Sequence, residues 1–102
     1  MRWIEIINVR SGETLNQLLI DELMKPFDQK KKIKGLTGKN IYRNALIETD
    51  LSVHIHWNIN SLSPLGSVIG VHIAEILKGY GLVSHNIWAE EKRESRQETR
   101  KQ

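Results

Sequence analysis

The amino-acid sequence predicts an α+β domain with the element order βαββαβ, and three observations carry that expectation. The clearest is Asp50–Asn58, where Leu51, Val53, Ile55 and Trp57 alternate with Ser52, His54, His56 and Asn58. A period of two belongs to a strand with one apolar and one polar face. Two other stretches, after Thr14 and after Ser63, repeat their apolar residues at helical spacing. Finally, runs rich in branched aliphatic and aromatic residues at Trp3–Val9, Asn40–Ile47 and Val83–Ala89 supply three more strands.

Trp3–Val9 has few polar breaks and reads as a strand buried on both sides, closed by Arg10-Ser11-Gly12-Glu13. Thr14 is the expected cap of the first helix, with Gln17 three residues on in capping-box position. Leu15, Leu18, Leu19, Leu23 and Met24 fall on one face of that helix, and Asn16, Gln17, Asp21 and Glu22 on the other. Pro26 ends it, because proline has no N–H to donate and its ring crowds the preceding turn. A lysine-rich segment and Gly35-Leu36-Thr37-Gly38 lead into the second strand, Asn40–Ile47. Glu48-Thr49-Asp50 is a short connection, so the second and third strands form an antiparallel hairpin. A turn centred on Thr49 places Asn44 opposite His54, Tyr42 opposite His56 and Arg43 beside Ile55. A slip of one residue would exchange those faces.

Ser63 is the expected N-cap of the second helix, with Pro64 at its first position. Leu65, Ile69, Ile73, Ile76 and Leu77 give it an apolar stripe, and Gly66, Gly70 and Ala74 a second stripe of small residues. Glycine in a helix interior costs about 1 kcal/mol relative to alanine. Two on one stripe therefore imply that another part of the chain, most simply the sheet, approaches closely. Gly79 or Gly81 ends the helix, with Leu82 placed for the hydrophobic contact of a C-cap motif.

The order βαββαβ is the ferredoxin-like, split-βαβ pattern: a four-stranded antiparallel sheet with two helices on one face. Residues 1–89 make that domain. Residues 90–102 carry both charges and no large apolar residue, and read as a flexible, solvated tail. The sheet face without helices is not purely polar, since the first strand is apolar on both sides and Trp88 shares a side with Ser84 and Asn86. Apolar groups on a face that no helix reaches predict a homodimer.

Composition excludes several classes. The absence of cysteine rules out disulfides and thiolate metal sites. No apolar run nears the roughly 20 residues that span a bilayer, so no membrane partner is expected. Glu5 interrupts Trp-Ile-Glu-Ile-Ile too early for a signal-peptide core, which makes the cytoplasm the expected compartment. Lys25, Lys30, Lys31, Lys32, Lys34 and Lys39 form a basic segment with only Phe27 and Tyr42 nearby. A nucleic-acid site would join such a patch to stacking aromatics or a groove-binding helix, so a solvated loop is the better reading. Gly66-x3-Gly70 lies in a helical pattern with no lysine after it and is no phosphate loop. Neither a nucleophile motif nor a carboxylate pair is found.

With its element order, Asn8-x-Arg10 at the end of strand one, Trp57 late in strand three and an aromatic fourth strand from His85 to Trp88, the chain resembles the dimeric α+β barrel superfamily. That superfamily includes antibiotic-biosynthesis-type monooxygenases, and the resemblance covers about residues 2–91. It implies a homodimer whose sheets pack face to face, with a pocket between sheet and helices in each protomer. It further implies a small apolar or aromatic ligand or a cofactor-independent monooxygenase. The heme-degrading members offer an alternative, using an asparagine on strand one, a tryptophan on strand three and a helical histidine as iron ligand. The positions of this chain in those elements are Asn8, Trp57 and His72. They depart from the pattern, because His72 follows Trp57 at a greater distance and the intervening helix lacks the family's aromatic residues. A non-enzymatic interaction or regulatory module is a further alternative.

Read by themselves, Trp57 shares a face with Val53 and Ile55 and suits the core, and His72 suits a helix surface. His54 and His56 stand two apart on one strand face, a spacing at which both imidazoles can reach one metal. A third ligand would have to come from His85, Glu5 or Asp50. The simpler reading is a polar pair lining the barrel or dimer contact, with Tyr42 and Asn44 opposite it as ligand-binding candidates and no resident metal.

Overall fold

The computed structural model describes residues 1–28 and 32–92. Its elements are β1 (Arg2–Ser11), α1 (Gln17–Met24), β2 (Leu36–Arg43), β3 (Asp50–Asn58), α2 (Val68–Lys78) and β4 (Gly81–Ala89). A single 3₁₀ turn, Lys25–Asp28, follows α1. The strands form one antiparallel sheet in the order β2-β3-β1-β4, so the fold is the ferredoxin-like α+β topology. Residues 90–92 carry no helix or strand, and the rest of the expected tail lies outside the described residues.

The alternation of β3 holds along its length. Leu51, Val53, Ile55 and Trp57 are buried towards the helices, and Ser52, His54 and His56 are half-buried on the other side. Directly paired residues share a face, so the register assigns the rest. Trp3, Glu5, Ile7, Val9 and Ser11 of β1 join the helix side, and Ile4, Ile6, Asn8 and Arg10 the open side. Val83, His85 and Ile87 of β4 also face the helices, while Leu82, Ser84, Asn86 and Trp88 face outward. β1 is therefore fully buried on one side only; Ile4 and Ile6 are half-buried on the other. The core is one cluster in which Leu19 and Leu23 of α1 and Ile73, Ala74 and Leu77 of α2 cover Ile7, Val53 and Ile55.

Several local expectations are corrected. β2 runs four residues earlier than Asn40–Ile47, and Asn44–Thr49 is a longer connection than a tight hairpin turn. Asn44 leaves the strand because its Oδ1 accepts from the N–H groups of Leu46 and Ile47, a side-chain turn that competes with the ladder. The pairing becomes Gly38 with His56, Asn40 with His54, Tyr42 with Ser52 and Arg43 with Leu51. An even shift keeps faces, so Tyr42 still shares a side with His54. Arg43 likewise stays on the helix side, donating to the carbonyls of Leu15 and Glu48 at 2.8 Å each.

Both helices start later than expected. Asn16, not Thr14, caps α1, its Oδ1 accepting from Leu19 N–H at 3.1 Å. Leu18 consequently turns outward and is 77% exposed. Ser67, not Ser63, caps α2, its Oγ accepting from Gly70 N–H at 2.9 Å. Ser63–Gly66 is a separate turn closed by Gly66 N–H on Ser63 O, which leaves Leu65 exposed. Gly79 caps the C-terminus of α2, but Leu82 points away from it into solvent.

Because a capping side chain contributes about 1 kcal/mol, Asn16→Ala should lower the unfolding free energy by about that much in a urea titration. Thr14→Ala should stay within about 0.5 kcal/mol of the parent. The reverse ranking would contradict the helix start at Gln17.

Candidate functional site

The most unusual side chain of the core is Glu5. It lies in the middle of β1 on the helix side and is fully buried. Three groups satisfy it. Trp57 Nε1–H donates to Oε2 at 2.8 Å, and the Ser67 backbone N–H donates to Oε1 at 3.0 Å. His85 Nε2 meets the same Oε1 at 2.8 Å. β1, β3, β4 and the N-terminal cap of α2 therefore converge on one carboxylate. A carboxylate with two certain N–H donors is an acceptor, which assigns a proton on His85 to Nε2. Nδ1 has no hydrogen-bond partner among the described residues, and the His85 side chain keeps 16% of its surface exposed.

The small-residue stripe makes room for this group. A side chain at Gly70 would run into the Glu5 carboxylate, and one at Gly66 would stand 2.5 Å from both Glu5 Oε1 and His85 Cε1. Gly66 also holds φ at +97°, where a side chain is strained. The close approach expected from the sequence is thus real, and the group that approaches is Glu5.

A cavity of about 340 Å³ adjoins the constellation, lined among others by Trp3, Trp57, Ile59, Gly66 and Ser67. Trp3 and Trp57 are cross-strand partners whose rings stack, 5.7 Å apart and inclined by 23°. Trp3 Nε1–H is held by Ile59 O at 3.3 Å. The wall is apolar ring surface, most of it buried, with Trp3 4% and Trp57 6% exposed. Glu5 lies behind it, holding the Trp57 indole by its N–H. Two larger depressions are found, one of about 570 Å³ on the open face of the sheet and one of about 500 Å³ that Trp3 and Trp57 line together with Ile4, His56 and Trp88 of the open face.

The residues singled out from the sequence separate into different places. Trp57 is in the core and on the cavity wall, Asn8 is exposed on the open face, and His72 is exposed on the outer side of α2. Within the chain these three do not converge, so a heme held and distorted by them does not fit here. Tyr42 and His54 do meet on the open face, with ring centroids 4.8 Å apart. Asn44 and Tyr42 border the 570 Å³ depression, and His56 the 500 Å³ one. Glu5 and His85 face away from His54 and His56, and Asp50 is taken by Arg10 at 3.0 Å. Among the described residues no group of three histidine or acidic side chains could hold a metal ion. No helix among them is long and apolar enough to cross a membrane.

On the open face, burial and then the charge of neighbouring His56 push the His54 imidazole below its ordinary value. Its Nε2 is 2.9 Å from Ser52 Oγ, and Tyr42, Asn40 and Ile6 complete its surroundings. The unfolded chain therefore takes up this proton first as pH falls through about 6.5. The stabilising contribution is whole above that value and is lost as pH falls towards the lowered folded value. His54→Gln should flatten this part of the acid-side decline in urea titrations between about pH 7 and 5. An unchanged slope would contradict the assignment.

No protein-family model matches the sequence, and no curated protein matches it. Among solved structures, the fold is similar to that of Rv0793 from Mycobacterium tuberculosis, with a TM-score of 0.61 and 13% identity, covering 93% of this chain and 100% of that one. A formyltetrahydrofolate deformylase from Pseudomonas putida KT2440 matches with a TM-score of 0.47 and 13% identity, over 91% of this chain and 30% of that one. At such identities the likeness to Rv0793 is one of fold: a small ferredoxin-like α+β domain.

Proposed function

We propose that the protein is a homodimer of the α+β barrel type that binds a small apolar or aromatic molecule in the cavity bounded by Trp3 and Trp57. The observation that carries this reading is the pairing of an aromatic-walled cavity with a buried polar constellation beside it. A core needing only stability would place an aliphatic residue at Glu5, since burying a carboxylate is rarely favourable over apolar packing. The dimer is supported by the open face of the sheet. Its first row carries Gly38, His56, Ile4 and Trp88, its second Asn40, His54, Ile6 and Asn86. Trp88 is 62% exposed, beside half-buried Ile4 and Ile6, and no element among the described residues covers them. A second copy presenting the same rows buries them, as closed two-fold assemblies do. A cofactor-independent oxygenase is the enzymatic form of this reading, because oxygenation of that kind needs a dry pocket and groups that hold and deprotonate the substrate. Heme gains no support from the placement of Asn8, Trp57 and His72.

Light scattering on the full chain at micromolar concentration should give twice the 11.8 kDa protomer mass. Ile6→Arg, at the centre of the open face, should halve it with the far-UV spectrum unchanged. A parent protein that runs as a monomer overturns the dimer. For the cavity, 4-nitroanisole, a flat uncharged quencher, should reduce the emission of a Trp88→Phe variant saturably through Trp3 and Trp57. Quenching no stronger than that of free tryptophan would overturn ligand binding there.

A further inference from the structure

We infer that the outer edge of β4 is a self-association surface, on which β4 of a second copy pairs antiparallel about a two-fold axis at His85. The contact lies along the edge of the sheet and goes beyond the face-to-face dimer proposed above.

The sheet has two edges, and the chain protects only one of them. β2, at one end of the order β2-β3-β1-β4, has a register shift between Leu36 and Gly38 and carries Lys39 and Arg43. Bulges and charges are devices that keep an edge from pairing with another chain. β4, at the other end, pairs with β1 from Gly81 to Ala89 without a shift, and holds no charged residue and no proline. Its one histidine, His85, is turned to Glu5. No residue of β4 is fully buried, and no described strand pairs with its outer edge. Glu90 N–H donates to Arg2 O at 2.8 Å, and alternation from there turns the backbone groups of Leu82, Ser84, Asn86 and Trp88 towards β1. Those of Gly81, Val83, His85, Ile87 and Ala89 point outward.

The order of residues along this edge selects the partner. On either side of His85 the strand is chemically symmetrical: Ser84 and Asn86 are polar, Val83 and Ile87 β-branched, Leu82 and Trp88 large and apolar, Gly81 and Ala89 small. An antiparallel copy with His85 opposite the partner's His85 sets Ser84 against the partner's Asn86, Val83 against the partner's Ile87 and Leu82 against the partner's Trp88. In this register the residues with outward backbone groups oppose one another, so the free N–H and C=O groups of both strands are used. Leu82 and Trp88, 78% and 62% exposed, fall in the pairs whose side chains stand closest. A shift of one residue would bring outward groups against groups already held by β1. A shift of two would set Leu82 against Asn86 or Trp88 against Ser84. The segment that fits this edge best is therefore β4 itself, and pairing joins two four-stranded sheets into one.

Because the chain has no cysteine, disulfide formation can read this register directly. Ser84 and Asn86 are exposed, and in the proposed pairing their Cα atoms stand about 4.5 Å apart across the seam, within the span of a disulfide. Under mild oxidation an equimolar mixture of full-length Ser84→Cys and Asn86→Cys chains should give a covalent dimer on a non-reducing gel. Neither variant alone should, since like positions lie diagonally across the axis at about 7–8 Å, too far for the bond. No covalent dimer in the mixture, or as much in either variant alone, overturns the pairing. Adding Leu82→Asp to both chains, which sets a charge against the partner's Trp88, should abolish the cross-link; an unchanged yield overturns the register. Adding Ile6→Arg instead, which opens the face-to-face dimer, should leave the cross-link in place. Its loss there would mean that the cysteines met across the two faces, which overturns the edge contact and leaves the face-to-face dimer standing.

Discussion

Burying one carboxylate sets the terms for the rest of this structure. Glu5 is fully buried, so both of its oxygens have to be met by the protein. Trp57 of β3, His85 of β4 and the Ser67 cap of α2 meet it, each from a different element. The three contacts lock the indole that walls the cavity, the imidazole of β4 and the start of α2 to the middle of β1. Gly66 and Gly70 follow from the same requirement, because the carboxylate occupies the space their side chains would fill. Removing one partner of such a group typically costs about 3–5 kcal/mol, since the other is left buried and unpaired.

The two faces of the sheet divide the work. The helix side holds the apolar core, the Trp3–Trp57 stack and the polar constellation. The open side holds histidines, amides and hydroxyls around Ile4, Ile6 and Trp88. Its Arg10–Asp50 pair is a two-pronged hydrogen bond at 3.0–3.3 Å. The Asp50 hydrogen bond, and then its charge, raise the Arg10 guanidinium above its ordinary value. The pair is solvated on the arginine side and contributes little to stability.

Much of this was legible in the sequence, and the parts that were not share a cause. The period-2 pattern of β3 named its buried and open faces correctly, because alternation survives any tertiary context that covers one side only. The βαββαβ order followed from it and from the helical spacings. Side chains that bond their own backbone were harder to read: Asn44 stops β2 early, and Asn16 and Ser67 outcompete Thr14 and Ser63 as caps. Arg43 holding the carbonyl of Glu48 in the β2–β3 connection and that of Leu15 before α1 is a tertiary fact without a local signature. Glu5 was visible as a charge inside Trp-Ile-Glu-Ile-Ile, and the glycine stripe as a gap awaiting something. What joined them was 60 or more residues of chain, and a lone acidic residue in an apolar strand is the signal that could have paired them. His85 and Glu5 could be named only as distant metal-ligand candidates, because their contact depends on the β1–β4 register.

A double-mutant cycle on Glu5→Ala and Gly70→Ala bears most directly on the place of the carboxylate. In the parent background Gly70→Ala should destabilise the fold by about 1–3 kcal/mol, as overpacking does. In the Glu5→Ala background the same change should become neutral or stabilising by up to about 1 kcal/mol, since alanine is the better helix former. Additive costs in the two backgrounds would contradict the central role given to Glu5.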